Sequence, residues 1–509
     1  MKYISILASL IIILSVTGCK SKVVTKKPNV ILIYADDLGR GLLGTYGQEI
    51  IKTPHIDKLA NEGISFKNAY GCHYCAPARA SLLTGMHDVR PGQWNITKGG
   101  IYENLDNGMT FQEIKDSIHK IAQPAKKDEI FLAQVAKKAG YTTAEFGKLE
   151  WGFATTPERL ERHGWDYHFG YYDHQRCHGF YPPFLFENGE KIDIPGNTHS
   201  NCGKTNNVES EEGYKDRWDM TGKSFYSEDI IMEKLLGYID NYSVTKEDKP
   251  FFMFFPSQLP HGPIAIPEVH KDFKYDERLT EFEKEYASMV KMLDTDVGRI
   301  VAKLDSLKLL ENTIIVFASD NGHEVYTQQV DRTNKDVDLT SNKKYDNIKT
   351  RFLSNLSNDV FDGNNGMSGL KRSNWEGGTR VPLIWYWKGK IQKGVVSEQR
   401  VANYDFLNTL AEIVGEEELK EKDGISYAKT LFGEKSDVQP YIVTNSKIGP
   451  ALVTQDGWKL RYNLKKDVFQ LYFLPDDYKE LNELSVGNLD KVKDLKAKLL
   501  MESGGSWHK

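Results

Sequence analysis

The 509-residue sequence predicts an α/β protein built on a large, mostly parallel sheet sandwiched by helices. Two observations carry this. Four near-continuous apolar or β-branched runs have the character of strands buried on both faces, and helical segments lie between them. A third observation bears on function: each run stops at polar residues. In parallel sheets ligands bind beyond the carboxyl ends of the strands, so those residues are the first functional candidates.

The chain opens on "MKYISILASLIIILSVTGC", with basic Lys2, an apolar core from Ile4 to about Val16 and small residues before Cys19. That run is short for a membrane span and fits an export signal. Val16-Thr17-Gly18-Cys19 resembles a bacterial lipobox, which implies cleavage before Cys19 and lipidation of its thiol. Residues 1–18 are therefore read as a signal peptide and 19–27 as a linker. The expected product is an exported lipoprotein, held in the periplasm or at the outer membrane or cell surface by a lipid anchor in the outer or inner membrane.

The first strand, "NVILIYADD", runs from Val30 to Ala35 and stops at Asp36 and Asp37. "TPHIDKLANEG" follows as a helix with Thr53 as N-cap, Pro54 in the first turn and Gly63 as its stop. "CAPARASLLTG", residues 75–85, is a short helix with Cys75 just ahead of Pro77, Arg79 about one turn on, and Thr84-Gly85 at its end. "IFLAQVAKKAG" is a helix ending at Gly140, and "YTTAEFGKLE" leads to Lys148 and Glu150. "PFFMFFPSQLPHGP" leads to Pro260 and His261, and "NTIIVFASDNG" to Asp320, Asn321 and Gly322. This catalytic domain is expected over 28–435. The tail, 436–509, reads as alternating short strands and turns closed by a helix.

Asp36, Asp37, Asp320 and Asn321 together make an all-oxygen, net-acidic cage suited to a hard divalent cation. The net charge of −5 argues against a general polyanion-binding surface and against nucleic acid as a partner. With Cys19 assigned to lipid, four cysteines remain. If Cys75 is set apart for chemistry, the other three allow at most one disulfide, with Cys177 and Cys202 the candidate pair.

On these residues the chain resembles the formylglycine-dependent sulfatases of the alkaline-phosphatase-like superfamily. The family signature is met by Cys75, Pro77, Ala78, Arg79, Leu83, Thr84 and Gly85, supported by "ADDLG", "PHGP", "SDNG" and "GLKRSNWEGGTRVP" at 369–382. The resemblance implies an alkaline-phosphatase-like fold with a small C-terminal antiparallel sheet plus helix. It implies that a maturation enzyme converts Cys75 to formylglycine, whose hydrate attacks sulfur and then expels sulfate. It further implies one calcium ion (Ca2+) on Asp36, Asp37, Asp320 and Asn321, touching the nucleophile at Cys75. Arg79 would stabilise the hydrate, Lys148 and Lys371 would bind sulfate oxygens, and His261, alone or with Lys371, would protonate the departing alcohol. The family commonly reads Gly-Lys-Trp-His where this chain has Gly147-Lys148-Leu149-Glu150. The base that the histidine supplies would then be Glu150, or another group such as Asp320 or His323.

Five histidines fall between His163 and His199 among aromatic and arginine residues, a composition suited to a sulfated or uronate-bearing sugar. Trp165, Arg176, His178 and His323 are the candidate sugar contacts. The Asn-rich connection from His323 to Met367 is expected to overhang the site. The expected substrate is a sulfated polysaccharide or its oligosaccharides, of ulvan, carrageenan or porphyran type, with a host glycan as the alternative. Two other readings compete. A phosphatase, phosphodiesterase or phosphonate ester hydrolase of the same superfamily would usually carry Thr or Ser at the nucleophile and two zinc ions with histidine ligands. An inactive glycan-binding lipoprotein is suggested by Glu150.

Overall fold

The computed structural model describes residues 26–94, 96–122, 124–245, 249–345 and 351–507. The segment expected to be a signal peptide with a lipobox, and Cys19 with it, lies outside the described residues. Among the described residues, no helix is long and apolar enough to cross a membrane.

Eleven strands form the central sheet. In chain order the first eight are β1 (Asn29–Ala35), β2 (Ile64–Tyr70), β3 (Thr142–Lys148), β4 (Tyr167–Tyr171), β5 (Phe184–Glu187), β6 (Glu190–Asp193), β7 (Phe251–Pro256) and β8 (Thr313–Ser319). Arg380–Val381, Leu383–Tyr386 and Val395–Ala402 complete it around β2. The four apolar runs are β8, β1, β7 and β3, side by side in that order and all parallel. β4 extends this parallel centre, whereas Leu383–Tyr386, β5 and β6 pair antiparallel. Every residue of β1, β7 and β8 is buried. Their side chains alternate between two cores, which is why the runs are apolar throughout. Ile31, Ile33, Met253, Phe255, Ile315 and Phe317 pack in one, with Ile231, Leu235, Met289 and Leu293 from the helices Ser227–Thr245 and Glu281–Ser306. Val30, Leu32, Phe252, Phe254, Ile314 and Val316 pack in the other, with Leu132, Val135, Leu407 and Leu410.

Helix α1 (Pro54–Glu62) starts after Thr53 and stops at Gly63. Thr53 makes no side-chain cap; its hydroxyl is engaged with Asp57, 3.1 Å away, and with the Gly44 N–H. The free N–H groups of His55 and Ile56 instead go to Asp294 Oδ1 on the long helix, each at 2.9 Å. Helix α2 (Cys75–Thr84) is buried at all ten positions and ends on Gly85, whose φ of +70° lies in the left-handed region where glycine carries no steric penalty.

The tail folds as a four-stranded antiparallel sheet, Tyr441–Thr444, Ala451–Thr454, Trp458–Asn463 and Val468–Phe473, followed by the helix Leu489–Glu502. Val443, Leu452, Leu460, Leu471, Leu495 and Leu499 form its core. A buried ionic cluster ties it to the large sheet: Lys459 Nζ lies 2.8 Å from both Glu376 Oε1 and Glu480 Oε1, and Glu376 also meets Arg380 Nε at 2.9 Å. All four described cysteines are free thiols, so the Cys177–Cys202 bridge is not formed. The two side chains turn to separate carbonyls, Cys177 Sγ to that of His174 and Cys202 Sγ to that of Ser200.

Candidate functional site at the carboxyl ends of the central strands

Strand register sets the site. Ala35 lies opposite Ser319 and Tyr34 opposite Pro256, so Asp36, Asp320 and the loop to His261 emerge at one level. Lys148, the last residue of β3, reaches across with Nζ 2.6 Å from Asp36 Oδ2. Cys75 opens helix α2 where unpaired N–H groups and the helix dipole favour negative charge. Arg79, four residues on and so on the same face, is fully buried. Its NH2 lies 3.8 Å from Asp36 Oδ2 and 3.6 Å from Asp320 Oδ2, and its NH1 donates to the Lys148 carbonyl at 3.2 Å.

On the other side, Lys371 Nζ lies 2.6 Å from Asp37 Oδ2 and 3.1 Å from His261 Nε2. Tyr326 donates its hydroxyl to the same Asp37 oxygen, and Asn321 Nδ2 donates to Asp37 Oδ1 at 2.8 Å. Burial works to raise the Asp36 carboxyl, but Lys148, His261 and Arg79 outweigh it and hold it well below the usual range. Asp37 is likewise brought to about 2, burial being offset by Lys371 and His261. Asp320 goes the other way, raised by burial and then by Asp36. Burial, with the Lys371 charge, pushes His261 down to about 4.

Asp36 Oδ1, Asp320 Oδ2 and Asn321 Oδ1 are buried without a hydrogen-bond partner among the described residues. Ligand atoms of Asp36, Cys75 and Asp320 lie within 4.8 Å of one another, as do those of Asp36, Asp37 and His261. Interior oxygens left unmatched cost free energy unless a cation takes them up. An oxygen-rich set carrying several carboxylates fits calcium.

Four of the sequence-derived candidates stand elsewhere. Glu150 is turned away by a positive φ of +57°. Its carboxylate is taken up by His163 Nδ1 and, at 3.1 Å, by Arg159 Nε, while its N–H goes to Glu145 Oε1. His323 is buried with Nε2 3.5 Å from Asp359 Oδ2; its carbonyl accepts from the Lys371 N–H at 2.8 Å, so it supports that lysine's backbone. Trp165 stacks against Phe252 and Phe254 in the core. Arg176 lies over the Phe184 ring at 3.9 Å, again in the interior. Of the sugar candidates only His178 joins the site, its ring stacked on His261 at 4.1 Å.

Two residues here escaped sequence reasoning. Tyr326, from the Asn-rich connection, reaches Asp37 and the His261 ring. His174 donates Nε2–H to the Leu149 carbonyl at 2.8 Å, and its Nδ1 is buried without a partner. Lys148 and Arg79 help burial to hold its pKa well below the ordinary value. The histidine-rich run was the only signal for it.

A family model described as Sulfatase matches residues 28–416. The chain is 29% identical over 447 residues to N-acetylgalactosamine-6-sulfatase of Sus scrofa, covering 85% of this chain and 71% of the relative. It is 25% identical over 540 residues to N-acetylgalactosamine-6-O-sulfatase of Bacteroides thetaiotaomicron, covering 94% and 95%. Among solved structures it is similar in fold to Ps i-CgsB in complex with k-i-k-neocarrahexaose, with a TM-score of 0.69, 22% identity and 94% of each chain covered.

Proposed function

The chain belongs to the sulfatase family of sulfuric ester hydrolases, and from that premise we propose that it removes sulfate from a carbohydrate at the site centred on Cys75. The observation that supports this most is the set of unmatched buried oxygens beside Cys75, framed by Lys148 and Arg79 on one side and by Lys371 and His261 on the other. The family's calcium would be held by Asp36, Asp37, Asp320 and Asn321, where it supplies Lewis-acid charge stabilisation. Formylglycine made from Cys75 by a maturation enzyme would supply the nucleophile.

The remaining work falls to side chains. Lys148 and Lys371 present fixed positive charge to sulfate oxygens in a site closed to water, where it acts most strongly. Arg79 holds Asp36, Asp320 and the Lys148 backbone in one frame. His261 Nδ1 faces the Gly262 carbonyl, which only accepts, so that nitrogen carries the proton and Nε2 is bare. The ammonium of Lys371, 3.1 Å from Nε2, is then the proton source beside the leaving alcohol, and His261 and Lys371 act as a pair. With Glu150 and His323 committed elsewhere, Asp320 is the named base candidate that remains beside Cys75.

The substrate we infer is a sulfated polysaccharide or its oligosaccharides. Relatives named for N-acetylgalactosamine 6-sulfate favour a 6-sulfated hexosamine over the algal candidates, of which the carrageenan type keeps support from the saccharide in the solved neighbour. The N-terminal segment supports export as a lipoprotein anchored through Cys19.

Expression with a maturation enzyme, followed by mass spectrometry of the Cys75 peptide and a screen of defined sulfated saccharides, tests the reading. An aldehyde at Cys75, sulfate release that chelation stops and calcium restores, and an inert Cys75→Ala variant are expected. Full activity of that variant, or of a zinc-only enzyme, would overturn it.

A further inference from the structure

Between the part of the central sheet formed by β2 and its neighbour Val395–Ala402 and the C-terminal sheet lies a cavity of about 590 Å³ that shares no lining residue with the Cys75 site. Arg40, Arg380 and Arg400 line it, and each is at least nine-tenths buried, at 8%, 6% and 8% exposure. Lys67 adds a fourth cation from β2, which stands three strands from β1, roughly 14 Å at ordinary strand spacing.

The negative charge present does not balance this set. Glu398 pairs with Lys67 at 2.9 Å, and Glu376 pairs with Arg380 at 2.9 Å. Among the described residues, Arg40 and Arg400 meet no carboxylate. Arg40 NH1 donates to the Lys67 carbonyl at 2.5 Å and lies over the Tyr46 ring, while Arg400 NH1 donates to the Gln455 carbonyl at 2.6 Å. The Nε of each is buried and unpartnered. Burial pulls Arg40 below its ordinary pKa, and the neighbouring Arg380 charge adds to that against opposing contributions from Tyr46, Tyr70 and Glu376. Guanidinium groups removed from water and left unpaired are costly, and their planar forks match the paired oxygens of a sulfate or carboxylate.

We propose that this cavity is a second oxyanion site, in which Arg40 and Arg400 bind a sulfate or carboxylate group. The group could arrive as a substituent on an acidic saccharide chain or as a free inorganic ion. The two sources share the chemistry and differ in what else they bring.

Isothermal titration of inorganic sulfate into the wild-type protein and the Arg40→Gln/Arg400→Gln double variant tests the site. The variant is expected to bind one sulfate fewer per chain, while its turnover of nitrophenyl sulfate stays within twofold of wild type. Equal stoichiometry in two folded proteins would overturn the proposal. The nitrophenyl sulfate arm reports on the Cys75 site alone, so a failure there bears on the proposed activity and leaves the cavity untouched. Titration with an oligosaccharide carrying several sulfates separates the sources. A substituent site binds it at least tenfold more tightly than inorganic sulfate, and the double variant loses that advantage; a free-ion site shows no such preference. Should the glutamine pair fail to fold, Arg40→Lys/Arg400→Lys keeps the charge and removes the forks. About tenfold weaker sulfate binding is then expected, and unchanged affinity would overturn the assignment.

Discussion

Lys371 touches both Asp37 and His261, and the pair predicts how substrates should divide. His261→Ala is expected to lower kcat/KM on sugar sulfates by roughly 10²- to 10⁴-fold and on nitrophenyl sulfate far less, since nitrophenoxide departs with little protonation. Lys148→Ala should lower both, because in the proposed role it would bind sulfate oxygens whichever alcohol leaves. Steady-state rates on the two substrates check this; equal losses in His261→Ala would leave that histidine a binding residue. Glu150 gives a second prediction. Its carboxylate is fully buried against His163 and Arg159, so Glu150→Gln should cost stability first: a melting temperature lower by several degrees, with kcat/KM within about tenfold once folded. Were Glu150 the base, the rate would collapse as well, by far more than tenfold in the folded variant. Sequence alone could place Glu150 two residues after Lys148. It could not show the left-handed turn at Glu150 that swings the side chain to the other face.

Elements were legible in proportion to their burial. β1, β3, β7 and β8 announced themselves because two cores cover both faces of the sheet, and the polar residues ending them make up most of the site. β5, β6 and the strands around β2 are short or partly exposed, and their mixed composition carries no clear period. At the start of the helix Ser227–Thr245, Glu228 is buried and accepts a hydrogen bond from Ser257. Burial, and then Asp296, raises its carboxyl from 4.5 to about 8. It is therefore protonated in the fold at neutral pH and ionised in the unfolded chain. The stabilisation this confers is complete below about pH 4.5 and is lost as pH rises to about 8. Glu228→Gln should flatten the fall in stability across that window by up to a few kcal/mol, at ~1.4 kcal/mol per pH unit. Denaturant unfolding of both proteins at pH 5, 6.5 and 8 measures it; parallel curves would refute it.

The large sheet and the C-terminal sheet are held together by charge that no local pattern reveals. Glu376, Lys459 and Glu480 are scattered over more than a hundred positions, yet all three are fully or almost fully buried together. Lys459→Met removes the cation shared by the two carboxylates, leaving Glu376 to Arg380 and the buried Glu480 without an ion-pair partner among the described residues. A loss of about 3–5 kcal/mol is expected, with separation of the C-terminal sheet detectable by limited proteolysis. Unchanged stability would mean that the remaining contacts, such as the Arg461 Nε bond to Asn374 Oδ1 at 3.0 Å, suffice to join the two parts.

The burial of helix α2 has a consequence for the order of events in the protein's life. With all ten of its residues inside and Cys75 only 5% exposed, an enzyme that must grip the chain from Cys75 to Arg79 finds no handle on the finished molecule. Any conversion of Cys75 by such an enzyme belongs to the polypeptide before it folds, and folding closes the window. The active fraction of a preparation is then the outcome of a race between two rates. Under the proposed maturation of Cys75, a batch folded too soon would stay inert however long the enzyme is supplied afterwards.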